Sequence, residues 1–315
     1  MASTKKIRAA VIGTGYLGRF HAEKFAAHPD VDLVAVVDPD PERCAPVAEK
    51  CACSACNSHA ELAGRVDAVA VVTPTPSHFA IARDFLEQGV DLLLEKPVTA
   101  TLGEADALIE LADKKGAIFQ VGHLERFNPA VIALSRLVRA PRYIEARRLS
   151  VFKPRAADTS VVLDLMIHDL DIIASLVAAP VASVSAVGGR GLTDKLDRAA
   201  ARITYANGAV ADVTASRLCL EDDRRMSVFA DDSWFYVDFV NRTLKAVLPG
   251  APAPGSPFPD KTITEEHFDK ADALAAEIAA FVKSIKTRNP PAVTGRVGRE
   301  ALATALRVAE LAEKG

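Results

Sequence analysis

Long apolar runs are missing from this 315-residue chain: no window approaches about 18 uninterrupted apolar residues, so no helix is expected to span a membrane. An excess of one charge is missing too. Thirty-eight Lys and Arg stand against 41 Asp and Glu, a formal net charge of -3. The densest basic groups are the pairs Arg147-Arg148 and Arg224-Arg225, and nothing suggests a polyanion as partner. Cysteine is scarce: Cys44, Cys51, Cys53, Cys56 and Cys219. Zinc sites usually close with two Cys-x-x-Cys pairs or with histidines at matched spacing. Cys51-Ala-Cys53-Ser-Ala-Cys56 offers one overlapping pair, with only Cys44 and His59 near. We read these cysteines as small apolar residues at a helix end and on a short strand, and expect no metal site. There is no internal repeat and no extended low-complexity segment, only a Pro/Gly-rich stretch from Pro249 to Pro259 that reads as a surface loop. Met1 to Lys6 is short, polar and runs straight into a strand, so no signal peptide is expected and a cytoplasmic protein is the default.

What is present is a chain half apolar and long enough for two domains. Ile7–Ile12, Leu33–Val37, Ala68–Val72, Asp91–Leu94 and Ile118–Val121 read as short buried strands. Helical patterns alternate with them at about Tyr16–Ala27, Pro41–Lys50, Ser77–Gln88 and Thr101–Lys115. That alternation predicts a doubly wound parallel sheet, an α/β fold, over residues 1–122. The rhythm then changes. Helices are expected at Pro129–Val138 and Val162–Val177, and strands at Arg142–Leu149, Val181–Val187, Ala199–Tyr205, Ala209–Ala215, Met226–Ala230 and Trp234–Val240. Asn207-Gly208 signals a hairpin, and Asp231-Asp232 a second. Helices near Glu266–Ile285 and Gly298–Glu313 close the chain. Residues 123–315 are therefore expected to form an α+β domain on an open, mainly antiparallel sheet, whose last helix packs back toward the first domain.

Gly13-Thr14-Gly15-Tyr16-Leu17-Gly18 fits G-x-G-x-x-G, after a buried strand and at the opening of a helix. The first glycine permits the tight turn, the second lets the backbone approach a pyrophosphate, and the third allows close helix–strand packing. Helix N-H groups and the dipole then face the phosphates. Asp38 ends the second strand, twenty residues after Gly18. A carboxylate there accepts from ribose hydroxyls and repels a 2′-phosphate, which favours NAD over NADP. Its other reading is a helix cap.

The mostly apolar segment Val161–Ala178 carries Asp164, His168 and Asp171 at i, i+4 and i+7, one face of a helix. A carboxylate one turn from a histidine fixes its tautomer and raises its basicity, as a proton-transferring histidine requires. The same spacing suits an amphipathic helix with its polar side in water. Glu95-Lys96-Pro97 follows a parallel strand at the carboxyl edge, where ligands bind in open α/β sheets. A lysine there can stabilise a developing alkoxide, or simply face solvent.

Gly13-x-Gly15-x-x-Gly18, Thr73-Pro74-Thr75-Pro76-Ser77-His78, Glu95-Lys96-Pro97 and Asp164-x-x-x-His168 resemble, in this order and over nearly the whole chain, the glucose-fructose oxidoreductase / inositol dehydrogenase / MocA family. The resemblance implies a nicotinamide-dependent oxidoreductase of sugars, cyclitols or sugar nucleotides. It implies Lys96 and His168 as catalytic pair with Asp164 alongside, either Lys96 or His168 taking the proton. Tyr16, Leu17, Thr73, Pro74, His78, Glu95 and Lys96 itself would lie with the glycines and Asp38 along the cofactor. It also implies a homodimer or homotetramer through the second sheet. Val161-Val162-Leu163 departs from the glycines that many members carry there. Val121-Gly122-His123-Leu124-Glu125-Arg126-Phe127-Asn128-Pro129, with Asp164-Leu165-Met166-Ile167-His168-Asp169, is similar to the branch holding UDP-N-acetylglucosamine 3-dehydrogenases. There Arg126 and Asn128 would face the substrate, and the sugar 3-hydroxyl would be oxidised. Asn128 before Pro129 is also an ideal helix cap. Arg217 would meet a phosphate or pair with Glu221 or Asp222. The rival readings are a dehydrogenase of a free sugar or cyclitol, a reductase of a non-sugar substrate, and a catalytically silent NAD-dependent sugar sensor.

Overall fold

The structure is a computed structural model and describes residues 6–154, 157–252 and 259–314. Among these residues no helix is long and apolar enough to cross a membrane. The chain divides into two compact units. One holds the residues up to Leu124 with Asp272–Arg299, the other Glu125–Ala271 with the residues from Glu300 on.

In the first unit β1 (Ile7–Ile12), α1 (Gly18–Ala27), β2 (Val31–Val37), α2 (Pro41–Cys51), β3 (Ser54–Cys56), β4 (Ala68–Val71), α3 (His78–Glu87), β5 (Asp91–Glu95), α4 (Leu102–Lys115) and β6 (Phe119–Gly122) alternate. The strands form one parallel sheet in the order β3-β2-β1-β4-β5-β6. β4, β5 and β6 are buried at every residue, as strands covered on both faces must be. The winding reverses between β1 and β4. Gly13, Asp38, Thr73 and Lys96 follow the carboxyl ends of β1, β2, β4 and β5, the rim on which such sheets hold ligands.

The second unit holds α5 (Pro129–Leu137), β7 (Tyr143–Leu149), α6 (Ile167–Val177), β8 (Val181–Gly189), β9 (Arg198–Tyr205), β10 (Val210–Ser216), β11 (Asp223–Phe229), β12 (Trp234–Asp238), β13 (Thr243–Pro252) and β14 (Pro259–His267). α7 (Ala273–Thr287) returns to the first unit, packing Leu274, Ile278, Phe281 and Val282 against Phe25 and the β1–β2 core. α8 (Gly295–Lys314) gives its first turn to the first unit and Ala301, Ala305, Val308 and Ala312 to the core of the second. The eight-stranded sheet runs β14-β13-β12-β11-β7-β10-β9-β8, antiparallel except for β10 beside β7. Both expected hairpins form: Gly208 turns β9 into β10 at φ +86°, and β11 pairs β12 with Phe229 opposite Trp234.

Three expectations are corrected. The stretch Pro249–Pro259 is not simply a surface loop: β13 extends to Pro252 and β14 begins at Pro259, while 253–258 lie outside the described residues. The helix read from Glu266 starts at Ala273 instead. Glu265, Glu266 and His267 pair with β13, and Asp272 caps the helix by accepting from the Ala275 N-H at 2.9 Å. The charged run looked helical in isolation, but a sheet edge supplies its backbone partners first. Finally, Val162–Val177 is not one α-helix: Val162–Met166 forms a π-turn ahead of α6.

Candidate active site

The glycine turn is built as its sequence requires. Gly13 sits at φ +95°, and a Cβ there would meet the Val72 carbonyl oxygen at 2.5 Å. At Gly18 a Cβ would meet the Gly13 oxygen at 1.9 Å, which fixes α1 against the turn. At Gly15 nothing lies within 4 Å of that position, leaving the open approach a pyrophosphate needs. The turn therefore fits a dinucleotide. The Gly15 carbonyl takes the Arg19 N-H, and the Leu17 carbonyl those of Phe20 and His21. Tyr16 is exposed and meets Phe20 edge-on, with the Arg19 guanidinium over both rings.

Asp38 is buried and tied to the turn. Its Oδ2 accepts from the Thr14 N-H (2.9 Å) and hydroxyl (3.1 Å), and its Oδ1 from the Asp40 N-H (3.0 Å). A carboxylate has about four acceptor positions, so Oδ1 keeps capacity for an outside donor. The helix cap is Asp40, which accepts from Glu42.

Thr73, His78 and Lys96 belong to one braced rim. Ser77 donates to Thr73 Oγ1 (2.8 Å) and to the Pro74 carbonyl (2.7 Å). The buried His78 ring stands between two carbonyls, with Nδ1 at 2.9 Å from Pro97 and Nε2 at 2.8 Å from Thr73. Burial pushes its imidazole below the usual range, while the two carbonyls work the other way, and the ring acts as a strut between the loops after β4 and β5. The Lys96-Pro97 peptide is cis. Lys96 is half-buried, and its N-H donates to Glu95 Oε2 at 3.2 Å. Glu95 Oε1 lies 2.9 Å from His21 Nε2; a carboxylate accepts, so that nitrogen carries the proton. Burial works against the charge on Glu95, but His21 and Lys96 outweigh it and hold the group below the usual carboxylate range.

In the second unit Asp164 lies on the π-turn and His168 in the first turn of α6, both half-buried. A π-turn bonds i to i+5, as the Ile167 N-H does with the Val162 carbonyl. Such turns recur at functional sites. Asp171 is buried, and its Oδ1 takes Arg126 at 3.4 Å. Asn128 caps α5, accepting from the Ala130 N-H (3.0 Å), and donates to Glu125 Oε2 (3.1 Å).

Arg148 and Asp169, not chosen as site residues from the sequence, organise this region. The fully buried Arg148 donates twice to Asp169 (3.0 and 2.7 Å) and once to Glu125 (2.8 Å), tying β7 to α6 and to the turn carrying Arg126. A signal existed: Ile144, Ala146 and Arg148 alternate on the buried face of β7, so the arginine needed an acid inside. Arg217 is corrected likewise. It is buried against Asp197 (3.3 Å) and donates to the Thr159 and Leu196 carbonyls. The cysteines fit the apolar reading: burial pushes the Cys53 thiol up to about 11 and also raises Cys44, Cys51 and Cys56. Among the described residues, three His, Cys, Asp or Glu ligand atoms come within 4.8 Å only at His21, Glu95 and Glu277.

A parallel sheet with a switch point, a three-glycine turn on its rim and a carboxylate ending the next strand define a dinucleotide-binding protein of the Rossmann class. The sequence profile of the GFO/IDH/MocA oxidoreductases with NAD-binding Rossmann fold matches residues 7–123, and that of the GFO/IDH/MocA C-terminal domain matches 136–236. A UDP-N-acetylglucosamine 3-dehydrogenase of Acidithiobacillus ferrooxidans is 45% identical over 306 residues, 96% of each chain. A solved structure of that enzyme superposes with a TM-score of 0.91 at 42% identity, covering 99% of both chains. A scyllo-inositol 2-dehydrogenase (NAD(+)) of Bacillus subtilis is 30% identical over 311 residues, 92% of this chain and 89% of that one. The chain belongs to the GFO/IDH/MocA family of NAD-binding oxidoreductases.

Proposed function

We propose that the protein oxidises a secondary hydroxyl of a sugar nucleotide, the 3-hydroxyl of UDP-N-acetylglucosamine, with NAD as acceptor. The end-to-end likeness to the Acidithiobacillus enzyme carries this reading, at 45% identity over 96% of each chain. NAD, when bound, accepts the hydride. Gly13, Gly15 and Gly18 hold its pyrophosphate on the N-terminus of α1, and Asp38 offers Oδ1 to a ribose hydroxyl. Tyr16, Leu17, Thr73, Pro74, His78 and Glu95 complete that rim. Lys96 stabilises alkoxide character at the reacting oxygen, and His168 takes the proton with Asp164 orienting it. Arg126 and Asn128 serve the substrate side from the turn that Arg148 braces. The open face of the large sheet pairs two copies. Tyr143, Phe229, Trp234, Val247 and Ile263 stand opposite one another in a row across five neighbouring strands, with Phe229 and Ile263 exposed.

The test is NADH formation from NAD with UDP-N-acetylglucosamine, other UDP-sugars, free sugars and cyclitols. Turnover of UDP-N-acetylglucosamine above the rest is expected. Good turnover of a free cyclitol without it overturns the substrate, and no turnover of any leaves the sensor reading.

A further inference from the structure

Behind Lys96, inside the first unit, three buried ionisable side chains meet. His21 comes from α1, Glu95 from the end of β5 and Glu277 from α7, with ligand atoms all within 4.8 Å of one another. Glu95 has a donor on each oxygen: His21 Nε2 meets one and the Lys96 N-H the other. Gly122 of β6 leaves room for this carboxylate, since a Cβ there would come within 2.9 Å of Glu95 Cδ. Glu277 is the opposite case. Its side chain is wholly buried, and neither carboxylate oxygen has a hydrogen-bond partner. Its backbone carbonyl accepts from Gln120 Nε2 at 3.2 Å.

Two carboxylates this close in a dry interior do not both ionise. The charge settles where donors receive it, on Glu95, and the proton stays where there are none, on Glu277. We propose that Glu277 is a positioning residue for Lys96: as a neutral acid it leaves Glu95 the one anion of the cluster, and that anion holds the Lys96 backbone and the His21 ring in place. This rests on the reading of Lys96 as a catalytic residue. The groups that face the cluster are His21 from α1, Glu95 at the end of β5 with the Lys96 backbone just after it, and Gln120 and Gly122 from β6. Burial, with the charge of Glu95 added, drives the Glu277 carboxyl well above its ordinary range, in line with this assignment. Raising the pH far enough to ionise Glu277 sets a second negative charge against Glu95 and loosens the Lys96 segment.

The experiment uses the whole enzyme with NAD and its best substrate. Glu277→Ala is expected to lower kcat by about tenfold or more, with little change in KM for NAD, and Glu277→Gln to restore most of it. The alkaline fall of kcat in the wild type is expected to be absent from Glu277→Gln. An identical alkaline limb in both, or full kcat in Glu277→Ala, overturns the proposal. Folding is checked by melting: an acid raised in the folded state costs stability from its unfolded pKa upward, so Glu277→Gln melts increasingly above wild type as pH rises. The protonated carboxyl is read directly in the infrared, as a C=O band that Glu277→Gln abolishes whatever the fate of Lys96. Its absence from the wild type, or a stoichiometric metal ion lost in Glu277→Gln, refutes the neutral acid. Turnover surviving in Lys96→Met with the band intact refutes only the reading of Lys96.

Discussion

Lys96 follows a wholly buried strand, and its segment is held on both sides, by Glu95 on its N-H and by His78 on the Pro97 carbonyl. A lysine on a backbone so held is well placed to meet a developing alkoxide. Lys96→Met is expected to lower kcat by about a hundredfold or more, with NAD affinity measured by calorimetry nearly unchanged. Near-normal turnover would remove Lys96 from the mechanism. Asp38→Ala is expected to raise KM for NAD, to narrow its preference over NADP, and to lower the melting temperature because the buried Thr14 N-H loses its acceptor. Asp197 carries a pH signature. Three backbone N-H groups, from Thr193, Leu192 and Gly191, together with the Thr193 hydroxyl, overcome burial and hold it down to about 2. A carboxylate depressed in the folded state stabilises above its unfolded pKa and loses that contribution as pH falls through the folded one. Asp197→Asn should therefore cost about 2 kcal/mol at neutral pH, and the gap in melting temperature should close between about pH 4 and pH 2.

Among the elements, α6 and the π-turn before it depend on Arg148. Its guanidinium is the shared counter-charge of Asp169 and Glu125 at the boundary of β7, α6 and the Arg126 turn. Arg148→Met strands two carboxylates and is expected to cost about 3–5 kcal/mol, read in denaturant unfolding; an unchanged midpoint would deny the brace. Arg148→Lys recovers little, because an ammonium cannot match the two-pronged contact. At this scale the strands of the parallel sheet were legible, since continuous apolar runs have few other places to go. The π-turn was not, because it covers only the five residues Val162–Met166, too few for its wider winding to show as a distinct apolar period. Nor were β13 and β14. Glu265, Glu266 and His267 carry no alternation of their own, and pairing with β13 makes them a strand.

For the whole molecule, the large sheet presents an apolar row from Tyr143 to Ile263 on the face away from its helices. Contiguous apolar surface of this kind marks an interaction site. A second copy of the chain is the occupant we propose. Phe229→Glu combined with Trp234→Glu is expected to shift sedimentation from a dimer or tetramer toward a monomer. Wild type sedimenting as a monomer at micromolar concentration would refute it.

Local patterns in the sequence were sufficient for the dinucleotide turn, the parallel strands, both hairpins and the Asn128 cap, because each depends on neighbours a few residues apart. They also marked Lys96, Asp164 and His168 as candidates. The partners of buried charges were decided only by the tertiary structure. Arg148 with Asp169, Arg217 with Asp197, Arg126 with Asp171 and Glu277 beside Glu95 are pairings across tens of residues or more. No periodicity encodes which buried acid meets which buried base; that is settled when the elements pack and each charge must find a counter-charge or keep its proton.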